Sequence, residues 1–573
     1  MRDTNLEHDL LASVSGDTLM RTTAAIARWE RSSGEPDELA SFEWIDEQMR
    51  AMGYRTALTH HRAYISLPGP ATLEVPGNGL SVRGISHAFA AQTPAEGVRA
   101  RLIDPLLEPE ADVAGAIVLV NGMGNGVTMR TWEARGTLGQ VHVHDDYLHE
   151  SSLSPVWGNP TEEGLAQMPR TPSLAIRQGN AATLRQKMAE GPVEVTITTS
   201  VETEWRPIPL LVADLPGAPS TPYLLLSTHV DSWYYGAMDN GSANATTMEV
   251  ARLLAPHAGE LRRGLKVAFW SGHSHGRFAG SAYFADEHWL DLHEHCIAHV
   301  FVDSTGGLNA TVVTEPPVMP QTHRLAAAVV NDVTGETFEG KRIGRFADQS
   351  FYGIGLNSIF GTLSEQDAAV AGDGISFKTG GRRAGGLGWW WHTPDDTVDK
   401  VDEANLVRDT RIYLAAVYRL LTDRRLPFDY RPAIEEIIET LEPRVTGAAA
   451  HLDLSALMED LRHVQALVGQ YHDAIDAWEG DRDAEVNRTL LLLSRQLVPI
   501  AFHERMRFER DPAAPLVPVP SLKDLERLAK LDADDPQAHA IATRLHRTAN
   551  WIRTEARTAA TVLERALERE PNP

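Results

Sequence analysis

The sequence predicts an α/β protein: a mixed, mostly parallel sheet with helices on both faces, carrying an inserted β-rich domain and an α-helical C-terminal domain. Three observations predict it. Between about residues 206 and 425, apolar strand-like runs alternate with helical patterns, the order that gives a parallel sheet covered on both faces. Residues 76–205 read instead as short strands separated by Gly/Pro turns. Beyond Pro427 the pattern is helical. At 573 residues the chain is too long for one core. The changes of texture divide it into 1–75, 76–205, 206–425 and 426–573.

In the first segment, Leu19–Trp29 and Phe42–Met52 have helical spacing and lead into the strand-like YRTALTHHRAYISLPG. In the insert, GAIVLVNG, QVHVHDD, TPSLAI and VEVTITTSV are strands. The third segment gives strands at 223–227, 266–270 and 299–303, and helices at 244–256, 281–293 and 322–334. In the last, Leu457, Leu461, Val464, Val468, Tyr471, Ile475 and Trp478 repeat at 4-3 spacing. Leu545, Ala549, Ile552, Ala556, Ala559, Leu563 and Ala566 do the same with smaller residues. Two such seams want apolar partners, either the protein's own helices or a second copy, and a homodimer through the C-terminal helices is one expectation.

A net charge of −25 argues against nucleic acid and anionic membrane surfaces, both of which demand a basic face. No apolar run approaches the roughly 18 residues of a membrane span, and MRDTNLEHDLLASVSGD lacks a signal-peptide core, so a soluble, cytoplasmic protein is expected. The single cysteine, Cys296, has no partner for an internal disulfide and reads as a buried, inert thiol.

The chemistry lies where the strands of the third segment end. Leu224–Asp239, LLLSTHVDSWYYGAMD, delivers His229, Asp231 and Asp239 past a buried strand. Val267–Trp270 runs into Ser-Gly-His273-Ser-His275, His299–Val302 into Asp303, and a Gly-rich loop with Trp389–Trp391 into His392 of HTPDDTVDKVD. Ligand crevices of open α/β sheets lie outside the carboxyl ends of the strands. A lone His or Asp is ordinarily a surface residue; four strand ends finishing on one or the other indicate a metal site. Two divalent metals sharing a bridging carboxylate need this kind of donor set, and His229, Asp239, Asp303 and His392 supply it. Asp231, two residues beyond His229 on an extended segment, is placed to fix the imidazole tautomer.

These segments resemble the zinc aminopeptidase and glutamate carboxypeptidase family of metallopeptidases, family twenty-eight of the metallo class. ADLPG at 213–217, STHVDS at 227–232, GAMDNGSANAT at 236–246, GS at 280–281, FVD at 301–303 and WHTPDDTVDKVD at 391–402 are similar to its successive motifs. The insert is similar to a protease-associated domain, and the C-terminal helices to the dimerisation domain of the glutamate carboxypeptidase and transferrin receptor branch. The resemblance implies that His229, Asp239 and Asp303 hold one metal, and Asp239 with His392 the other.

The family carries two adjacent glutamates after its third motif strand, a general base and a ligand of the second metal. Here the segment reads Trp270-Ser-Gly-His273-Ser274-His275-Gly, with neither glutamate. Aligned on Trp270 and Gly272, His273 takes the base position and Ser274 the ligand position. Aligned on Gly280-Ser281, His275 takes the ligand position. Imidazole can bind metal and act as a base near neutral pH. The exchange raises the charge of the site by one unit and favours zinc first, with nickel, copper or iron ahead of manganese. The expected roles are His273 as base, Asp231 as its catalytic companion, and His229, Asp239, His275, Asp303 and His392 as ligands of one or two divalent metals.

Other features weigh less. GMGNGV at 122–127 lacks the G-x-G-x-x-G spacing and reads as a turn. His293, His295 and His299 lack the His-Glu-x-x-His order and read as a polar helix end, and His142, His144, Asp145 and Asp146 as an exposed strand and turn. Trp233, Tyr234, Tyr235 and Trp389–Trp391 read equally as pocket wall or core. Arg277, Arg345, Lys378, Arg382 and Arg383 are candidates to hold a substrate carboxylate. Three functional classes remain: a metal-dependent hydrolase of an amide or peptide-like bond in a small substrate, a non-peptidase metalloenzyme of C–N cleavage or lyase chemistry, and a receptor-like scaffold. Retained ligand positions argue against the last.

Overall fold

The computed structural model describes residues 3–77, 79–345, 347–371, 386–478 and 482–568. Among these residues thirteen strands form one hydrogen-bonded network. Two long strands, β1 (Arg55–Val75) and β7 (Val193–Asp214), run antiparallel along nearly their whole length and tie its two halves together.

At one end of this ribbon lies the insert. Strands β2 (Leu80–Ser86), β3 (Val98–Ile103), β4 (Ile117–Asn121), β5 (Gly139–His144) and β6 (Ser173–Arg177) pair in the order β1-β2-β6-β5-β4-β3-β7, and β7 pairs back on β1. The ring therefore closes and leaves no free edge. Its interior is filled by Leu73, Leu102, Ile117, Val141, Leu174 and Ile197.

At the other end, β7 pairs with β9 (Gly264–Trp270), followed by β8 (Tyr223–His229), β10 (Cys296–Phe301), β13 (Asn357–Ile359), β11 (Pro317–Val318) and β12 (Lys341–Arg342). Strands β9, β8, β10 and β13 are parallel. Alternate residues feed opposite cores: Leu224, Leu226, Val267 and Phe269 pack on one face, Tyr223, Leu225, Ala268 and Trp270 on the other. That two-sided burial makes these strands near-continuous apolar runs. The helices Gly16–Ile26, Ala243–Leu254 and Glu403–Thr422 pack together over the first face. The expected single helix at 281–293 is instead two, Ala279–Glu287 and Trp289–His295, broken at His288, and His299 lies in β10.

The C-terminal helices Arg431–Ala448, Ser455–Ala477, Asp483–Phe502 and Pro536–Glu568 pack on one another. Leu457, Leu461, Val464, Val468 and Tyr471 are buried in the same cluster as Leu545, Ala549, Ile552, Ala556 and Leu563. The two seams are thus satisfied within one chain, and the expectation of a homodimer loses the ground on which it was drawn. Among the described residues no helix is long and apolar enough to cross a membrane.

Candidate metal centre

β8 ends on His229, and the loop beyond it must turn back to place Asp239. Arg31, fully buried, braces that turn: its guanidinium donates to the carbonyls of Val230 (2.7 Å), Tyr235 (2.7 Å) and Gly236 (2.9 Å). Gly236 has φ 46°, and a Cβ there would lie 2.2 Å from the Asp239 carbonyl, so only glycine fits. Asp396 fixes the next step, accepting from the backbone N–H of Met238 (2.8 Å) and Asp239 (3.0 Å). Its burial pushes that carboxyl up to about 7. The insert contributes as well: His392 Nδ1 donates to the Glu150 carbonyl at 2.8 Å, and Glu150 N–H returns a bond to the His392 carbonyl at 3.0 Å.

Asp239 lies at the middle of the donor group. Its Oδ1 is 3.2 Å from His229 Nε2, and its Oδ2 is 3.0 Å from His392 Nε2. Asp303 Oδ1 is 3.6 Å from the same His229 nitrogen. His229 Nδ1 already donates to the Asp231 carbonyl at 2.9 Å, and His392 Nδ1 to Glu150. In the neutral rings, both Nε2 atoms therefore present lone pairs to carboxylate oxygens, an arrangement that requires a cation between them. His229 Nε2 and Asp239 Oδ1 are buried without a hydrogen-bond partner. Burial alone would lower the His229 pKa and raise that of Asp239. The facing charges overcome it, holding His229 well above and Asp239 well below their ordinary values. A proton fills the gap electrostatically; a divalent metal fits the same nitrogen-and-carboxylate donor set.

The structure brings His229, Asp239, Asp303 and His392 together, and adds His273. A nitrogen of His273 lies within 4.8 Å of donor atoms of His229 and Asp303, and its ring stacks on His229 at 3.7 Å between centroids. His275 goes elsewhere. Its Nδ1 is 3.2 Å from Ser33 Oγ and 3.9 Å from Asp231 Oδ2, and its ring packs on Trp233 at 4.1 Å. The expectation that His275 binds the metal shared with His392 is corrected accordingly. Arg277 and Phe278, at φ 51° and 71°, turn the chain into the helix Ala279–Glu287, with residue 275 left outside the crevice.

Asp231 also differs from expectation. Its backbone carbonyl, not its carboxylate, anchors His229; the carboxylate accepts from His273 N–H (3.1 Å), Ser274 N–H (2.8 Å) and Ser33 Oγ (2.9 Å). It holds the histidine turn and does not enter the crevice. Sequence reasoning missed Asp348, whose Oδ2 accepts from His273 Nδ1 at 2.8 Å while Oδ1 accepts from Ser281 Oγ. It also missed Arg31 and the Glu150 backbone, neither of which has a motif.

His142 and His144, expected on an exposed strand, are buried on β5. Trp233, Trp390 and Trp391 are buried, whereas Tyr235 and Trp389 are exposed. Arg345 pairs with Asp511 and does not face the site. Lys378, Arg382 and Arg383 lie outside the described residues.

Residues 211–417 match the sequence family described as Peptidase family M28. A probable glutamate carboxypeptidase of Zea mays is 27% identical over 300 residues, 48% of this chain and 40% of that protein, so the match spans less than half of the relative's length. Among solved structures, a peptidase M28 precursor from Shewanella amazonensis superposes with a TM-score of 0.56 at 16% identity, over 73% of this chain and 95% of that one. A zinc aminopeptidase from Bacillus subtilis gives 0.52 at 17% identity, over 72% and 95%. At these identities the likeness to the solved structures is one of fold.

Proposed function

We infer, for a chain whose residues 211–417 match peptidase family M28, that it is a metal-dependent hydrolase of an amide or peptide-like bond in a small substrate. The observation that carries this reading is Asp239, whose two carboxylate oxygens each face the Nε2 lone pair of a different histidine. Such a carboxylate is built to lie between cations. His229, Asp239 and Asp303 would hold one metal, zinc first by donor chemistry, and Asp239 with His392 would hold another. Bound there, the metal supplies Lewis acidity, polarising a carbonyl and making water a better acid.

The chain's own groups do the rest. With Nδ1–H donated to Asp348, neutral His273 keeps an Nε2 lone pair with which to accept a proton from water in the crevice. Trp233 and Trp391, buried and packed against the His392 ring, limit solvent beside it. The second reading is C–N bond cleavage of a non-peptidase kind. It is favoured by one observation, that positions 273 and 274 bring no carboxylate to the crevice. A receptor-like scaffold would have no use for the converging donors.

The test is metal reconstitution followed by assay on aminoacyl anilides, dipeptides and N-acyl amino acids. Hydrolysis that follows metal content and falls by about 100-fold in His273→Ala supports the reading. Full metal occupancy with no amide cleaved by any metal form would transfer support to the second.

A further inference from the structure

A cavity of about 880 Å³ opens at the pole opposite the metal donors, where the parallel strands begin. Pro222, just before β8, and Ile297, at the start of β10, form its floor, and the helix Asp483–Phe502 forms a wall. The two strands that start here end on His229 and two residues short of Asp303.

Its charge is opposite to that of the molecule. Arg262, Arg263, Arg488 and Arg495 line it, and among the described residues none of the four has a carboxylate partner in an ion pair. Arg263 is capped by the carbonyls of Leu420 and Asp423, and Arg495 by those of His293, Gly355 and Cys296. Carbonyl caps satisfy hydrogen bonds without cancelling charge, and burial lowers both guanidiniums to about 10. Arg262 commits its Nε to the Thr422 carbonyl, and Arg488 is exposed at the mouth. Of the acids at the rim, Asp483 is already held by Arg424 and Arg425. A concave positive surface in a chain of net charge −25 concentrates field lines and draws anions specifically to that point.

Leu426, Leu491 and Leu492, the last exposed, give the cavity an aliphatic side, and His293, Glu294 and Asn487 complete the lining, in which the arginines outnumber the two acids. Among the described residues Phe, Tyr and Trp are absent from the lining, and its imidazole, His293, is already stacked on Trp289 at 4.8 Å between centroids. We propose that this cavity binds a small organic anion with an aliphatic body, an acyl carboxylate or an alkyl phosphate. Guanidinium forks pair with either head group, and burial of the alkyl chain against the leucines adds affinity.

The experiment is calorimetric titration of the metal-loaded full chain with hexanoate, with hexyl phosphate, and with hexanol as the uncharged analogue. At least one anion should bind with a Kd below about 1 mM, hexanol about tenfold more weakly or worse. Which anion binds separates carboxylate from phosphate. Arg488→Gln and Arg262→Gln should each weaken binding by about tenfold, with metal content unchanged. Leu492→Glu, at an exposed site, should abolish it, and provides the decisive variant if an arginine replacement fails to fold. Equal binding of hexanol, no heat from either anion, or unaltered affinity in these variants would overturn the proposal.

Discussion

His273 Nδ1 donates to Asp348 Oδ2 across 2.8 Å while its ring lies parallel to that of His229 at 3.7 Å, so one buried carboxylate sets both the tautomer and the plane of the histidine nearest the donor group. Asp348 has no motif of its own and lies 75 residues downstream of His273. Asp348→Asn keeps the shape of the pair but removes the charge that holds Nδ1–H. Activity should fall by about 10- to 100-fold, with metal content nearly unchanged and the pH profile displaced. Elemental analysis beside a pH–rate profile checks it; parallel loss of metal would mean that Asp348 serves the fold and not His273.

His275→Ala should retain the metal. The side chain is buried against Trp233 and Ser33, away from Asp239 and His392, so its removal leaves a void and costs about 1–3 kcal/mol of stability. Denaturant titration together with metal analysis separates the two effects. Metal loss without loss of stability would restore residue 275 to the ligand set.

Much of this site was legible in the sequence because its donors sit at strand ends, where the apolar run and the ligand residue are adjacent in the chain. His229 and Asp303 show this directly. What failed was the short stretch 273–281, where two alignments were open and only the folded positions of the His273 and His275 rings tell them apart. Asp231 failed for a related reason: at two residues from His229 either its carbonyl or its carboxylate could reach the ring, and sequence does not say which. The C-terminal seams were correctly periodic, but periodicity gives no partner, and the helices Ser455–Ala477 and Pro536–Glu568 chose each other. His142 and His144 alternate as a half-exposed strand would, yet the closing of the insert ring buries both.

Metal binding should raise thermal stability, since the donors converge only in the folded chain. Removing metal by dialysis against a chelator should lower the midpoint of unfolding by several degrees, an effect on the order of 1–3 kcal/mol for a ligand in large excess over its Kd. In His229→Ala the chelator should make no difference. A shift of equal size in that variant would place the stabilising metal somewhere other than this centre.

The last prediction concerns the junction that fastens the C-terminal segment to the rest of the molecule. Asp511 Oδ2 lies 2.8 Å from Arg345 Nη2 and 3.1 Å from His503 Nδ1, and the carboxylate also accepts from the backbone N–H of Glu504 and Arg505. Two residues on, Ala513 N–H donates to the Pro155 carbonyl, linking this loop to the insert. Burial by itself would raise the Asp511 pKa, but His503 and Arg345 outweigh it and lower the group from 3.8 to about 2. A carboxyl whose folded value is depressed contributes stability that is complete above its unfolded value and disappears as pH falls through the folded one. Asp511→Asn should therefore cost about 2 kcal/mol at neutral pH, and that cost should shrink below pH 4 and vanish near pH 2. Urea midpoints of the two proteins across this range give the comparison. A difference that stayed constant down to pH 2 would show that Asp511 acts through hydrogen-bond geometry alone, with no contribution from its charge.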